Sequence, residues 1–332
     1  MGYLEKLSQY SSRGFPADVL ESLKGWYFSY LAEAISNHTS PEMVDQILSQ
    51  YLDLIVKQVK KPFLFEEYHA AVRTPFDHYR FGLDFIRPLI VKESSKVIHP
   101  HHLKEIAERV ALGENVILLA NHQTELDTQA ICLMLEPQYP KLAEKMIFVA
   151  GHRVIQDPLA IPLSMGCNLL CVYSKKYIED DPEKKQERLL HNQKTMVQMR
   201  QLLSQGGQCI YVAPSGGRDR PGLSGVIEVA KFDPQSIELF WLLAQKSGKK
   251  THFYPLALYT YPLLPPPDEV KKQLGEPRHT KASPVYLAFG KEICMDQERK
   301  SQSLTKKQQR DMRAHHIWEV VQQEYRLLTK TN

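Results

Sequence analysis

His122 and Asp127 are of the residue types that move protons, and they stand five apart in the stretch Asn121-His122-Gln123-Thr124-Glu125-Leu126-Asp127. On one continuous α-helix that separation puts two side chains about 140° apart, at ~100° per residue, too far round to meet. They converge if His122 lies in a loop and Asp127 in the first turn of the helix that follows. The carboxylate can then accept from one imidazole nitrogen, fix the tautomer and leave the other nitrogen as a base toward a substrate hydroxyl. The stretch holds no nucleophile, so it suits direct attack by the substrate's own hydroxyl. A purely structural account uses the same residues: Thr124 to Asp127 matches a helix-capping pattern, and an acidic first turn is favoured by the helix dipole.

A second group of residues is suited to anions. In Pro214-Ser215-Gly216-Gly217-Arg218-Asp219-Arg220-Pro221 the glycines let backbone approach a ligand closely. Arg218 and Arg220, two apart in an extended segment, share a side while Asp219 points away. Guanidinium forks bind phosphate oxygens bidentately, so the pair forms a phosphate clamp; the alternative is that both arginines meet carboxylates at the surface. Ser174-Lys175-Lys176-Tyr177 is another cationic loop. Together with His122 these loops imply a phosphorylated alcohol. His99, His101 and His102 sit in a Pro-interrupted loop with no second ligand group at metal spacing, and no metal site is expected there.

The elements that would position these loops read as alternating strands and helices from about residue 110. Apolar, partly β-branched runs mark strands at 116–120, 146–150, 168–173, 208–213, 252–258 and 284–289, with helices at about 125–136, 183–204, 234–247 and 304–329. This order implies an α/β fold with a mixed, largely parallel sheet flanked by helices. Ligand loops then belong at the carboxyl ends of the strands. Residues 1–80 read as a small N-terminal helical domain ahead of an α/β domain at 81–332. Ser40-Pro41-Glu42 starts a helix whose stripe is Val44, Ile47, Leu48, Tyr51, Ile55 and Val59. The aromatics Phe63, Phe65, Tyr68, Phe76, Tyr79, Phe81 and Phe85 are expected to fill the seam between the two.

Composition bounds the function. With 332 residues, 43% hydrophobic and 24% charged, the chain can bury a large core. No apolar run approaches the ~18 residues of a membrane span, and the first residues do not resemble a signal or transit peptide. The five cysteines are scattered, with no Cys-x-x-Cys pair, which fits inert thiols in a reducing compartment. A formal charge of +4 is too mild for a nucleic-acid partner, yet leaves room for basic patches that attract acidic ones.

The heptapeptide at 121–127 resembles the His-x4-Asp block of the glycerolipid acyltransferases, in particular the soluble plastid-type glycerol-3-phosphate acyltransferases and their bacterial relatives. The resemblance continues through Val149-Ala150-Gly151, Arg153-Val154, Asp157-Pro158-Leu159, residues 168–176, residues 213–221 and Tyr254-Pro255-Leu256-Ala257-Leu258, covering most of 62–290. It implies acyl transfer from a carrier-protein or coenzyme A thioester to the 1-hydroxyl of glycerol 3-phosphate, in phospholipid synthesis, without a cofactor. His122 becomes the general base and Asp127 its orienting partner. Lys176, Arg218 and Arg220 become phosphate ligands, with Tyr177 beside them where several members have histidine. A cytoplasmic protein, or a stromal one if a mature plant form, is expected, with no membrane span and at most transient contact with a membrane surface. Two other functions fit the same surface: acylation of 1-acylglycerol 3-phosphate or another phosphorylated alcohol, and non-catalytic binding of an acyl carrier or lipid. Binding alone needs neither His122 nor Asp127.

Overall fold

The computed structural model describes residues 2–12, 17–266, 279–296 and 304–330. Three helices come first, α1 (Tyr3–Ser12), α2 (Ala17–Ser36) and α3 (Pro41–Lys60). Ser40 caps α3 by accepting from the Met43 amide at 3.3 Å, and Pro41 occupies the first turn, where a missing N–H costs nothing. Val44, Leu48, Tyr51 and Ile55 are buried as the stripe requires; Ile47 is partly buried and Val59, in the last turn, is exposed. Phe85 of α4 (His78–Ile86) packs its ring against Trp26 and Tyr51, with centroids 5.7 and 4.9 Å away, and Phe81 stacks on Tyr51. Buried tyrosine hydroxyls complete the contact, Tyr30 donating to the Phe85 carbonyl and Tyr51 to that of Leu159.

The remaining helices are α5 (Pro100–Ala111), α6 (Asp127–Leu135), α7 (Pro140–Lys145), α8 (Ile161–Ser164), α9 (Lys175–Glu179), α10 (Lys185–Gln205), α11 (Pro234–Lys246) and α12 (Lys306–Lys330). The strands are β1 (Tyr68–His69), β2 (Lys96–Ile98), β3 (Asn115–Ala120), β4 (Ile147–Gly151), β5 (Asn168–Val172), β6 (Cys209–Val212), β7 (Arg220–Pro221), β8 (Ile227–Glu228), β9 (Thr251–Tyr259) and β10 (Tyr286–Phe289). All six strands expected from the sequence are present, to within two residues at either end. Eight strands form one sheet in the order β1-β5-β4-β6-β3-β9-β10-β2, while β7 and β8 make a separate hairpin. From β5 across to β9 the neighbours are parallel; β1 and β10 add antiparallel pairings, and β2 lies parallel to β10.

Both faces of the sheet are covered, which is why the central strands are continuous apolar runs rather than alternating ones. Val116, Leu118 and Ala120 of β3 face a core shared with α2, α3 and α6. Ile117 and Leu119 face the opposite core, with Met199 and Leu203 of α10, Trp241 of α11 and Ile317 and Val321 of α12. β3 runs on into α6 on the first face and β6 leads to α11 on the second, so the connections leave two neighbouring strands in opposite directions. A crevice at the carboxyl ends of β3 and β6 follows from that divergence.

Candidate active site

The loop that leaves β3 is stitched into the sheet before it reaches His122. The buried Asn121 amide accepts from the Leu258 amide at 2.7 Å and donates to the Leu258 carbonyl at 3.0 Å and to Asp219 Oδ2 at 2.8 Å. Gln123 Oε1 accepts from the amides of Thr260 and Tyr261 at 2.8 and 2.9 Å. His122 is therefore held between anchored neighbours, and Asp127 opens α6 just beyond. The two side chains meet, His122 Nδ1 to Asp127 Oδ2, at 2.8 Å, with the Asp127 side chain 2% exposed and that of His122 30%.

Three further donors converge on the Asp127 carboxylate: the Gln123 amide at 2.8 Å, the Thr124 amide at 3.1 Å and the Thr260 hydroxyl at 2.6 Å. A carboxylate so engaged only accepts, so His122 Nδ1 carries a hydrogen, and Nε2 is the ring nitrogen left to act as a base. Asp127 thus combines the structural and the chemical accounts in one side chain, closing the loop through two backbone amides while orienting the imidazole.

After β6 the chain turns at Gly216, whose φ of +65° falls in the left-handed region that favours glycine, and a Cβ at either Gly216 or Gly217 would meet nothing within 4 Å. The open backbone passes into Arg218-Asp219-Arg220. Asp219 points inward, fully buried, and accepts from Asn121, from Gln123 Nε2 at 3.2 Å and from the Ala230 amide at 2.9 Å, while its own amide donates to the His122 carbonyl at 2.6 Å. Burial pushes its carboxyl up to about 6, against the pull of these hydrogen bonds and with a further push from the Asp127 charge. Arg218 and Arg220, on the other side, line the cavity. Arg218 meets a carboxylate after all, Glu125 of the same His122 loop, at 3.4 Å; the pair is 13% and 10% exposed and forms part of the cavity wall rather than the outer surface.

The cavity holds about 830 Å³, within the range of small-molecule sites. Its polar lining includes His122, Glu125, Arg153, Tyr177, Arg218 and Arg220, and its apolar lining Phe148, Val154, Leu163, Met196, Leu239 and Phe240. Lys175 reaches it too but is tied to Asp233 at 3.1 Å and Gln235 at 2.7 Å. Lys176 lies in α9 and its side chain is outside the described residues. Of the six residues singled out from sequence, five thus line one cavity: His122, Asp127, Tyr177, Arg218 and Arg220. Reading the sequence missed Glu125, Asp219 as the buried link between two loops, and Thr260. Thr260 follows the strand expected at 252–258, at the same sheet edge, and the rule that ligand loops follow parallel strands pointed to it.

No serine, threonine or cysteine of the described residues is hydrogen-bonded to the His122 ring. Among the described residues the hydrogen-bond partner of that ring is Asp127. Ser164, Ser215 and Ser236 line the cavity but donate to Val154 O, Gly217 O and Asp233. Burial pushes the Cys167 thiol up to about 11. His99, His101 and His102 do cluster, with rings 4.1 to 6.1 Å apart, but among the described residues no group of His, Cys, Asp and Glu is arranged to hold a metal ion. Nor is any described helix long and apolar enough to cross a membrane.

A profile of the Acyltransferase family matches residues 97–259, from β2 through β9, and so includes both motif loops. The chain is 40% identical over 281 residues to a chloroplastic glycerol-3-phosphate acyltransferase of Arabidopsis thaliana, an alignment covering 84% of this chain and 61% of that protein. To a chloroplastic glycerol-3-phosphate acyltransferase of Cucurbita moschata it is 41% identical over 285 residues, covering 85% and 64%, and to that of Pisum sativum 41% over 266 residues, covering 79% and 58%. It spans about six-tenths of the length of these curated relatives. With the His-x4-Asp pair, the paired arginines and this similarity along most of the chain, residues 97–259 form an acyltransferase-family domain.

Proposed function

We propose that this protein transfers an acyl group from a thioester to the 1-hydroxyl of glycerol 3-phosphate, giving 1-acylglycerol 3-phosphate for phospholipid synthesis. The observation that carries the proposal is a histidine held by a buried carboxylate and opening, with no nucleophile bonded to it, on a cavity that also presents Arg218 and Arg220. The relatives named above are called glycerol-3-phosphate acyltransferases, which supports this reading.

His122 Nε2 takes the proton of the acceptor hydroxyl as its oxygen adds to the thioester carbonyl. The new C–O bond forms, the C–S bond breaks, and the proton passes from His122 to the departing thiolate, leaving no acyl-enzyme. Asp127 keeps the ring in the tautomer this requires. Arg218 and Arg220, with Lys176 and Tyr177 of the facing loop, hold the phosphate and so fix which hydroxyl reaches His122. The apolar wall takes the acyl chain, delivered by an acyl carrier protein or coenzyme A.

The test is an assay of the purified protein with radiolabelled glycerol 3-phosphate and acyl thioesters of both kinds, with 1-acylglycerol 3-phosphate as competitor. Labelled 1-acylglycerol 3-phosphate is expected, with weak competition. Faster acylation of the competitor would assign the later step instead, and acyl transfer by neither route would leave a binding protein.

A further inference from the structure

The first residue after β4 is His152, to which no role has yet been given. It lines the cavity at 8% exposure, and its Nδ1 is buried without a hydrogen-bond partner. We propose that His152 is a further binding residue, its Nδ1 donating to a phosphate oxygen of the acceptor. The proposal rests on the assignment of this cavity to a phosphorylated alcohol.

The ring is held by aromatic contacts. It stacks on Tyr173 with centroids 5.1 Å apart and 27° between planes, and it meets Tyr177 at 3.9 Å and 68°. Arg188 secures both partners, donating to the Tyr177 carbonyl and lying 5.6 Å from the centre of the Tyr173 ring. Such packing would be served equally by a phenyl ring. A buried nitrogen with no partner is a liability to the fold unless a ligand completes it, and buried polar atoms are rarely left so. Two features identify the ligand's chemistry. Tyr177 belongs to α9, the cationic segment after β5, and β4 lies between β5 and β6, the strand whose loop carries the arginines, so His152 leaves the sheet between the two cationic segments. Burial, with the Arg188 and Arg153 charges, lowers the His152 pKa to about 4, so at neutral pH the ring is uncharged, has a single N–H and is available to donate it from Nδ1.

Kinetics of the purified protein provide the first test, with His152→Phe, His152→Asn and Arg218→Ala compared for both substrates. His152→Phe keeps the stacking and loses the donor; the KM for glycerol 3-phosphate should rise about tenfold, with that for the acyl donor and the thermal midpoint near wild type. The asparagine amide, at the position of Nδ1 along the side chain, should recover most of the loss. An unchanged KM in His152→Phe, alongside a raised one in Arg218→Ala, overturns the role of His152 alone; unchanged values in both overturn the phosphate assignment itself. Equal rises for both substrates would make His152 structural and also overturn the proposal. Should His152→Phe fail to fold, the wild-type protein labelled with ¹⁵N-histidine decides the matter. The His152 Nδ1 resonance, identified by its absence in His152→Asn, must shift on adding glycerol 3-phosphate and not on adding glycerol.

Discussion

At the scale of single residues, the proposed catalysis depends on how little freedom the His122 ring has. Asp127 fixes Nδ1 while its other lone pairs are occupied by two amides and Thr260, so a change at any of these positions alters ring orientation rather than composition. His122→Ala should lower kcat by about 10²-fold or more, the range for loss of a positioned general base, with an unchanged circular dichroism spectrum. Asp127→Asn should also lower it, because an amide nitrogen directed at the Gln123 and Thr124 amides or at the ring opposes a donor with a donor. Thr260→Val removes one hydrogen bond worth about 1 kcal/mol, so roughly a fivefold loss is expected there, with Thr260→Ser close to wild type. Steady-state rates at saturating substrates would measure all four variants. Turnover near wild type in His122→Ala would remove the base from the mechanism.

At the scale of elements, the 121–126 loop and the 214–220 segment behave as one unit because Asp219 of the second accepts from Asn121 and Gln123 of the first. Arg218→Ala or Arg220→Ala should raise the KM for glycerol 3-phosphate roughly 10- to 150-fold, the loss of a charge-assisted bond of about 1.5–3 kcal/mol, with the donor's KM little changed. Lysine should rescue only in part, because the fork is lost; equal rises for both substrates would make the arginines structural. Asp219 adds a pH dependence to the unit. Its folded pKa of about 6 lies above the ordinary 3.8, so the folded state holds its proton more tightly. The associated stabilisation is complete below about 3.8 and is lost as pH rises through about 6, amounting to about 3 kcal/mol at most. Urea unfolding at pH 4 and pH 7 should therefore show wild type losing stability relative to Asp219→Asn, and a constant difference would mean that Asp219 titrates normally. The strands and the loops after them were legible in the sequence because burial on both faces writes continuous apolar runs. The Asn121–Asp219 link was not, since it joins positions 98 apart and no periodicity records such a pairing. β1, β2, β7 and β8, at two or three residues each, are too short for any pattern to appear.

At the scale of the whole molecule, the parallel strands give the sheet two unlike edges. His122, His152, Tyr177, Arg218 and Thr260 all follow strand carboxyl ends. The sequence holds three basic runs that could draw an acidic carrier: Lys184, Lys185 and Arg188, then Lys246, Lys249 and Lys250, then Lys271 and Lys272. Arg188 is engaged with Asp181 and the Tyr177 carbonyl, and the remaining lysines of the first two runs divide between the two sheet edges. Lys184 and Lys185, exposed where α10 begins, follow β5 and α9 on the cavity side, whereas Lys246, Lys249 and Lys250 lie where α11 ends and β9 begins, beside the start of β3, with Lys250 paired to Glu114 at 3.2 Å. Lys271 and Lys272 are outside the described residues. An acidic acyl carrier protein docking at the cavity mouth would therefore be attracted by the first run and not by the second, through interactions screened over about 8–10 Å at ordinary salt. Apparent affinity for carrier-protein donors should fall steeply between about 50 and 300 mM salt, while that for short acyl thioesters changes little. Lys184→Glu with Lys185→Glu should raise the carrier-protein KM at low salt and flatten its salt dependence. The same reversal at Lys249 and Lys250 should do neither, because those charges face away from the mouth. Equal salt dependence for both kinds of donor would mean that the cavity side carries no carrier-docking patch and that Lys184 and Lys185 are solvated surface.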